Sequence, residues 1–259
     1  MAEAPSSAAT PAGASEFPGE WYELASADHF WLQWRLRAAL RQIDAVGLPR
    51  GAPLRALDVG GGMGVLRAQL EEHTAWVIDI TDLHPRAVSG ARRGRGRNLR
   101  YDVTEHRPDM LGAYDVVVLF DVLEHVDGPV PFLESLFRHL KDGGHLLVNV
   151  PALRALFSGY DVAAGHLRRY DRRSLAAEAR PAGFAVRDVR FWGLSLVPLL
   201  LLRKLLLAGR SGPEVIRAGF RPPRPWVNAA LRALMRAETA VMSRPPLGTS
   251  VLLAARKPG

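Results

Sequence analysis

The segment Leu57-Asp58-Val59-Gly60-Gly61-Gly62-Met63-Gly64 decides the fold. An apolar stretch, Leu54–Val59, runs into the glycine loop Gly60–Gly64, and a helical pattern, Val65–Glu72, follows at once. Glycine lets the backbone turn sharply and lets a ligand lie against the main chain. Working outward, further apolar strands alternate with helices. The pattern predicts strands at Trp76–Ile80, Leu99–Val103, Tyr114–Phe120 and His145–Val150. A helix is expected over Val130–Leu140, and Asp142-Gly143-Gly144 makes a turn before the next strand. This alternation implies βαβ units and a mostly parallel sheet covered on both faces. In such sheets ligands bind at the carboxyl ends of the strands, near the switch in strand order.

Two cofactor classes compete for the glycine loop. The dinucleotide fingerprint G-x-G-x-x-G fits Gly60 and Gly62, but Val65 occupies its third glycine position. That disfavours a nicotinamide oxidoreductase. The pattern D-x-G-x-G-x-G fits throughout, at Asp58, Gly60, Gly62 and Gly64. It resembles motif I of the class I S-adenosylmethionine-dependent methyltransferases.

Other segments agree in order and spacing. Asp79, at the expected end of the second strand, can accept both ribose hydroxyls of a bound nucleoside, with Asp82 as its rival. The resemblance implies that Asp102 holds the adenine amino group and that the Val103 amide faces a ring nitrogen. Phe120-Asp121-Val122-Leu123-Glu124-His125-Val126 resembles the segment after the fourth strand in ubiquinone-type small-molecule methyltransferases, which adds Phe120 and Asp121 to the cofactor side. Leu140-Lys141-Asp142-Gly143-Gly144 is similar to a family segment too. The resemblance is strong over about residues 52–152 and looser beyond. It implies an α/β, Rossmann-like seven-stranded sheet with helices on both faces. Its last strand is antiparallel and inserted between the fifth and sixth. Phe184–Phe191 and Ser250–Ala255 would be strands six and seven, with Ser174 capping a helix before them.

The acceptor side has fewer markers. Methyl transfer from a sulfonium is an in-line displacement, so the protein mainly aligns the partners and excludes water. An oxygen acceptor of high pKa also needs a general base. His166, in Gly165-His166-Leu167-Arg168-Arg169-Tyr170, and His125 are the candidates, each also readable as a loop-ordering histidine. Asp121, Glu124 and His125 share a helix face, but no separate ligand cluster supports a metal, and none is assigned. Asp115 reads as a strand-edge acid.

Residues 1–18 read as a disordered tail and 19–259 as a single domain, with 192–245 a helical insertion beside the acceptor. A helix over Ala27–Val46 buries Phe30, Trp34, Leu36, Leu40 and Ile43; another over Trp226–Met242 places Val227, Leu231, Leu234 and Val241 on one face. The Leu194–Leu207 run has two readings. It is a buried helix, or a membrane-facing lid whose flanking Arg190, Arg203, Lys204 and Arg210 meet anionic headgroups.

With no cysteine, disulfides, thiolate metal sites and cysteine nucleophiles are excluded. The N-terminus lacks the basic and apolar regions of a signal peptide, so a cytoplasmic, membrane-peripheral enzyme is expected. The net charge of +8 is uneven: residues 190–259 hold twelve Lys and Arg against two acids. The leading reading is methyl transfer to a small molecule, most readily on oxygen and to an apolar or lipid-linked acceptor. The alternative is a nucleic-acid-binding or nucleic-acid-modifying protein using the basic C-terminal region, although no aromatic-basic RNA motif or DNA-reading helix signature is present.

Overall fold

The structure is a computed structural model that describes residues 29–206 and 224–259. The expected tail, residues 1–18, lies outside the described residues, as does 207–223 within the insertion. The elements are α1 (Phe30–Ala45), β1 (Arg55–Val59), α2 (Val65–His73), β2 (Val77–Asp82), α3 (Pro85–Gly90), β3 (Asn98–Arg100) and β4 (Tyr114–Phe120). They continue with α4 (Pro129–His139), β5 (Leu140–Pro151), α5 (Gly159–Ala163), α6 (Arg172–Ala179), β6 (Ala185–Trp192), α7 (Val197–Leu206), α8 (Pro225–Val241) and β7 (Ser250–Arg256).

The sheet order is β3-β2-β1-β4-β5-β7-β6, with β7 antiparallel to both neighbours. This is the expected seven-stranded arrangement. The order switches between β1 and β4, so their carboxyl ends open a crevice there. Alternation along each strand feeds two cores. Leu57, Val117, Leu119 and Val148 pack with α4 and α6, through Leu133, Leu136 and Leu175. Ala56, Ile78, Val116, Val118 and Leu252 pack on the opposite face with Trp34, Ile43, Leu66 and Leu70 of α1 and α2.

Three local expectations change. Strand β3 stops at Arg100, because the Asp102 carboxylate accepts the Thr104 amide and hydroxyl and turns the chain into a single 3-10 turn, Val103–Glu105. Helix α6 is capped by Asp171 rather than Ser174. The Asp171 carboxylate accepts the amides of Arg173 and Ser174, and the Ser174 hydroxyl closes a reciprocal box.

Helix α8 buries Met235 and Glu238, whereas Val241 is 82% and Trp226 68% exposed. Its contact face is therefore Leu231, Met235 and Glu238, rotated from the one expected. The reason is polar: the Glu238 carboxylate accepts the amides of Gly193, Leu194 and Ser195 and the Ser195 hydroxyl. Those donors open the turn into α7, and Gly193 adopts φ +79°, which favours glycine.

Candidate active site

A cavity of about 830 Å³ opens at the carboxyl ends of β1, β2, β4 and β5. Asp58, Gly60, Gly62, Asp102, Val103, Phe120, Asp121, His125 and His166 all line it. The loop after β1 holds Gly60, Gly62 and Gly64 at φ +70°, +54° and +73°. Such angles strain any residue with a Cβ, which is why the sequence repeats glycine there. Gly64 is the N-cap of α2 and shapes the loop from behind rather than lining the cavity.

Asp79 does not reach the cavity. It is buried on the far side of β2, where its carboxylate accepts from the Arg97 guanidinium at 2.8 Å and the Tyr114 hydroxyl at 3.0 Å. Burial alone would raise its pKa, but the hydrogen bonds from Arg97 and Tyr114 outweigh that and leave it lowered. The acid of β2 that lines the cavity is Asp82. Strand β2 runs on to that residue, two past the expected end, because Thr81 and Asp82 pair with Leu99 and Arg100 of β3. Its Oδ2 accepts the Gly62 amide at 3.1 Å and its Oδ1 the His84 amide at 2.8 Å.

Asp58 is 1% exposed, and its Oδ2 has no hydrogen-bond partner among the described residues. Burial pushes its pKa up to about 7, partly offset by Arg35 and Arg67. A buried acid with an open lone pair beside a glycine loop fits a cationic ligand group. The ammonium of a bound amino-acid moiety is such a group, so the residues present fit the expected cofactor.

Asp121 has φ +59°. Its carboxylate pairs with Arg35 at 2.5 Å and accepts from Asn149 at 2.7 Å. Arg35 also stacks against Trp31 and Phe120, 5.2 and 5.7 Å from their ring centroids. Helix α1 thereby walls the cavity with Trp31 and Arg35. Sequence reasoning missed these residues because periodicity marks apolar faces and gives no sign of an arginine folded onto a ligand cavity.

The segment after β5 brings the two histidines together, ring centroids 4.9 Å apart. His166 Nδ1 donates to Asp161 Oδ1 at 2.9 Å, and Arg169 Nε reaches the same oxygen at 2.8 Å. Although burial opposes it, these contacts lower the Asp161 pKa, so the acid stays ionised. That fixes the His166 tautomer and leaves its Nε2 as the acceptor nitrogen. His125 donates from Nδ1 to the Gly165 carbonyl at 3.0 Å. Burial, reinforced by His166, lowers its pKa to about 4, which makes it a weak base at neutral pH.

Glu124, 1% exposed, has its pKa raised well above the usual range, first by burial and then by Asp121. Glu124, His125 and His166 each place a ligand atom within 4.8 Å of the others. This grouping suits a shared proton or a cation, and it replaces the Asp121-Glu124-His125 set weighed from sequence. Asp161 was legible in principle as an acid five residues before a flagged histidine.

One wall of the cavity comes from the insertion. Leu196, Leu199, Leu200 and Arg203 line it from α7 and the turn before it. The outer residues of the same helix are open, with Leu205 73% and Leu206 67% exposed. One face of the run thus lines the cavity and the other is exposed, and no residue of α7 is buried. The basic flank expected to meet headgroups is spent elsewhere. Arg190 is buried against Asp188, Lys204 donates to the Ala155 carbonyl, Arg203 faces the cavity, and Arg210 lies outside the described residues. Among the described residues, no helix is long and apolar enough to cross a membrane.

The comparisons with known proteins agree with this geometry. A family profile described as a methyltransferase domain matches residues 27–189. The ubiquinone biosynthesis O-methyltransferase of Vibrio parahaemolyticus is 32% identical over 98 residues, 36% of this chain and 41% of that protein. Its counterpart in Marinobacter nauticus is 33% identical over 102 residues, 37% and 43% of the two chains. The chain thus spans about two fifths of the length of these curated relatives.

Among solved structures, a phosphoethanolamine N-methyltransferase of Haemonchus contortus with S-adenosyl-L-methionine superposes with a TM-score of 0.56 at 18% identity. The match covers 87% of this chain and 52% of that one. An S-adenosylmethionine-dependent methyltransferase of Mesorhizobium loti gives 0.55 at 17% identity, covering 85% and 97%. At that identity the structures share the fold. With the profile spanning more than half of its residues, the chain belongs to the methyltransferase-domain family, within the class I S-adenosylmethionine-dependent methyltransferases.

Proposed function

We propose that the protein transfers a methyl group from S-adenosylmethionine to an oxygen of a small apolar acceptor, with His166 as general base. The single observation that carries this reading is the Asp161–His166 pair at 2.9 Å, on the wall of the same cavity as the glycine loop. The cofactor supplies a sulfonium methyl, and its departure as a neutral thioether needs no acid. The chain's part is to bind, orient and take one proton.

In this reading Asp82 accepts the ribose hydroxyls, Asp102 and Val103 hold the adenine edge, and Asp58 takes the ammonium. His166 Nε2 receives the acceptor's hydroxyl proton, and Asp161 stabilises the resulting imidazolium. The O-methyltransferase names of the curated relatives support an oxygen acceptor. Wild type and the His166→Ala variant, compared in single turnover on phenolic acceptors, test it.

Asp58 gives a pH signature. Its pKa is raised to about 7 in the free protein, so below that pH the acid carries a proton that a cationic ligand must displace. Affinity for S-adenosylhomocysteine should therefore rise with pH up to about 7, approaching roughly tenfold per unit on the acid side, and then level. Asp58→Asn should flatten that profile. Calorimetry across pH 5.5–8.5 checks it, and an unchanged slope in the variant removes Asp58 from ammonium binding.

The outer face of α7 supports a peripheral membrane contact. Leu201, Leu202, Leu205 and Leu206 are exposed on consecutive turns, and Trp226, Arg224 and Arg236 are exposed on and just before α8. Such a face inserts shallowly while the cations stay at the surface. Leu205→Asp should keep its melting temperature, since exposed substitutions change stability by only about 0.5 kcal/mol. It should co-sediment with phosphatidylglycerol vesicles several-fold less than wild type. Equal co-sedimentation would place the membrane contact elsewhere or nowhere.

The nucleic-acid alternative draws on the basic C-terminal region, but several of those charges already have partners within the chain. Arg190 and Arg244 pair with Asp188, and Lys257 bonds the Leu140 carbonyl.

A further inference from the structure

Four elements meet at the cavity through residues whose contacts are incomplete within the described chain. His29 caps α1, His84 caps α3, Tyr160 lies on α5 and Arg203 on α7. All four line the cavity, and each has a further partner that the described residues do not show. Leu83 precedes His84, and Leu199 sits one turn before Arg203. Both leucines line the same cavity yet are 53% and 47% exposed. Apolar side chains left open around a ligand cavity mark a surface that something covers.

Two segments of the chain can supply the cover, residues 1–28 and 207–223. The second holds Arg210, Arg217 and Arg221 against Glu214 alone, and so does not suit a guanidinium. The first holds Glu3, Glu16, Glu20, Glu23 and Asp28 and no Lys or Arg. It also ends beside the cavity. Residue 28 precedes His29 and Phe30, which line the cavity, and the Phe30 amide donates to Asn228 Oδ1 of α8 at 3.0 Å. Leu231 and Arg232 follow Asn228 at helical spacing, and Leu231 lines the cavity. Of the acids that line the cavity, Asp58, Asp82 and Asp102 belong to the glycine-loop side, Asp121 is paired with Arg35, and Glu124 is 1% exposed. Arg203 and Arg232 belong to the insertion, so an acidic segment is drawn to that side. Residues 19–28 carry Trp21, Tyr22 and Leu24 among Glu20, Glu23 and Asp28. Extended, they span about 30 Å at roughly 3.3 Å per residue, enough to reach from α1 across the mouth to α7.

We propose that residues 19–28 close over the cavity mouth, with Glu20 and Glu23 meeting Arg203 and Arg232 while Trp21, Tyr22 and Leu24 cover Leu199 and Leu200. The occupant of this surface is a segment of the chain itself, and its role is to seal the cavity while the methyl group moves. A covered site sheds water and strengthens the electrostatic contacts within it. Closure requires the cavity to hold a ligand but does not depend on which residue takes the proton. It leaves the outer leucines of α7, Leu205 and Leu206, open.

The test is limited digestion of the full chain with a glutamate-specific protease, with the Glu3 site as internal reference. Cleavage after Glu20 and Glu23 should be at least about tenfold slower than after Glu3, because cleavage follows the population of the open form. Arg203→Glu combined with Arg232→Glu should remove that difference. Trp21→Ala combined with Tyr22→Ala, which leaves the core of the domain unchanged, should remove it too and should speed release of S-adenosylhomocysteine several-fold. Wild-type cleavage as fast as after Glu3, or protection that survives both double variants, overturns the proposal. Protection that fades on dilution overturns it in favour of a second copy of the chain. Protection seen only with phosphatidylglycerol vesicles overturns it in favour of a membrane surface. Protection lost in the variants with unchanged ligand release places the segment away from the mouth and overturns closure. Absence of S-adenosylhomocysteine binding would instead overturn the methyl-donor reading, while digestion without ligand still decides the docking.

Discussion

Asp82→Ala should lower affinity for S-adenosylhomocysteine by about a hundredfold or more, since each of two charge-assisted hydrogen bonds to the ribose is worth roughly 1.5–3 kcal/mol. The fold should survive, because Asp82 is only partly buried and its protein contacts are two loop amides. Asp79→Ala should behave in the opposite way. It strips partners from Arg97 and from the buried Tyr114 hydroxyl. Stability should drop by about 1–3 kcal/mol while the ligand still binds.

The two variants also differ in pH dependence. The Asp79 pKa is depressed in the folded protein, so its contribution is present above the ordinary carboxylate range and is lost as pH falls through the folded value. Asp79→Ala should therefore lose part of wild-type stability at neutral pH and converge with wild type in acid. Thermal melts with and without ligand separate the two acids. A full-affinity Asp82→Ala would remove Asp82 from the cofactor site.

His166→Ala should lower turnover by about a hundredfold to ten-thousandfold, the usual contribution of a positioned base. S-adenosylhomocysteine affinity should stay near wild type. The proposed base is His166 rather than His125 for a physical reason. Both face the cavity, but His166 leans on the ionised Asp161, whereas His125 is held by a neutral carbonyl and its pKa falls to about 4. Asp161→Asn should reproduce most of the loss, because the amide no longer stabilises the imidazolium or fixes the tautomer. Rapid-quench single-turnover assays separate this from slower product release. Full turnover in His166→Ala would exclude the residue as base and shift attention to His125.

The fold was legible because its signals are local. A glycine loop between a strand and a helix and repeated apolar strands point to a parallel sheet, and the family resemblance implied the antiparallel insertion of β7. The Asp79 assignment failed because spacing counts residues, whereas the end of a strand depends on its neighbour. Pairing with β3 carries β2 to Asp82 and aims that carboxylate, not Asp79, into the crevice.

The face of α8 was misjudged for a similar reason. Apolar periodicity ranked Val241 above Glu238, but Glu238 is drawn inward by the amides that start α7. Arg35 left no sequence mark, and Arg203 was legible only as a headgroup cation, since an arginine on a cavity wall looks the same as one on a solvated face. The leucine run was readable only as two alternatives, because apolar periodicity does not tell a cavity-lining face from an exposed one.

The central claim is that the glycine-loop cavity is a methyl-donor site. Calorimetric titration of the full chain with S-adenosylhomocysteine, and separately with NADH, tests it most directly. The account predicts saturable binding of one S-adenosylhomocysteine per chain, weakened about a hundredfold by Asp82→Ala and kept in His166→Ala, with no heat from NADH. Saturable binding of NADH together with no binding of S-adenosylhomocysteine would contradict it.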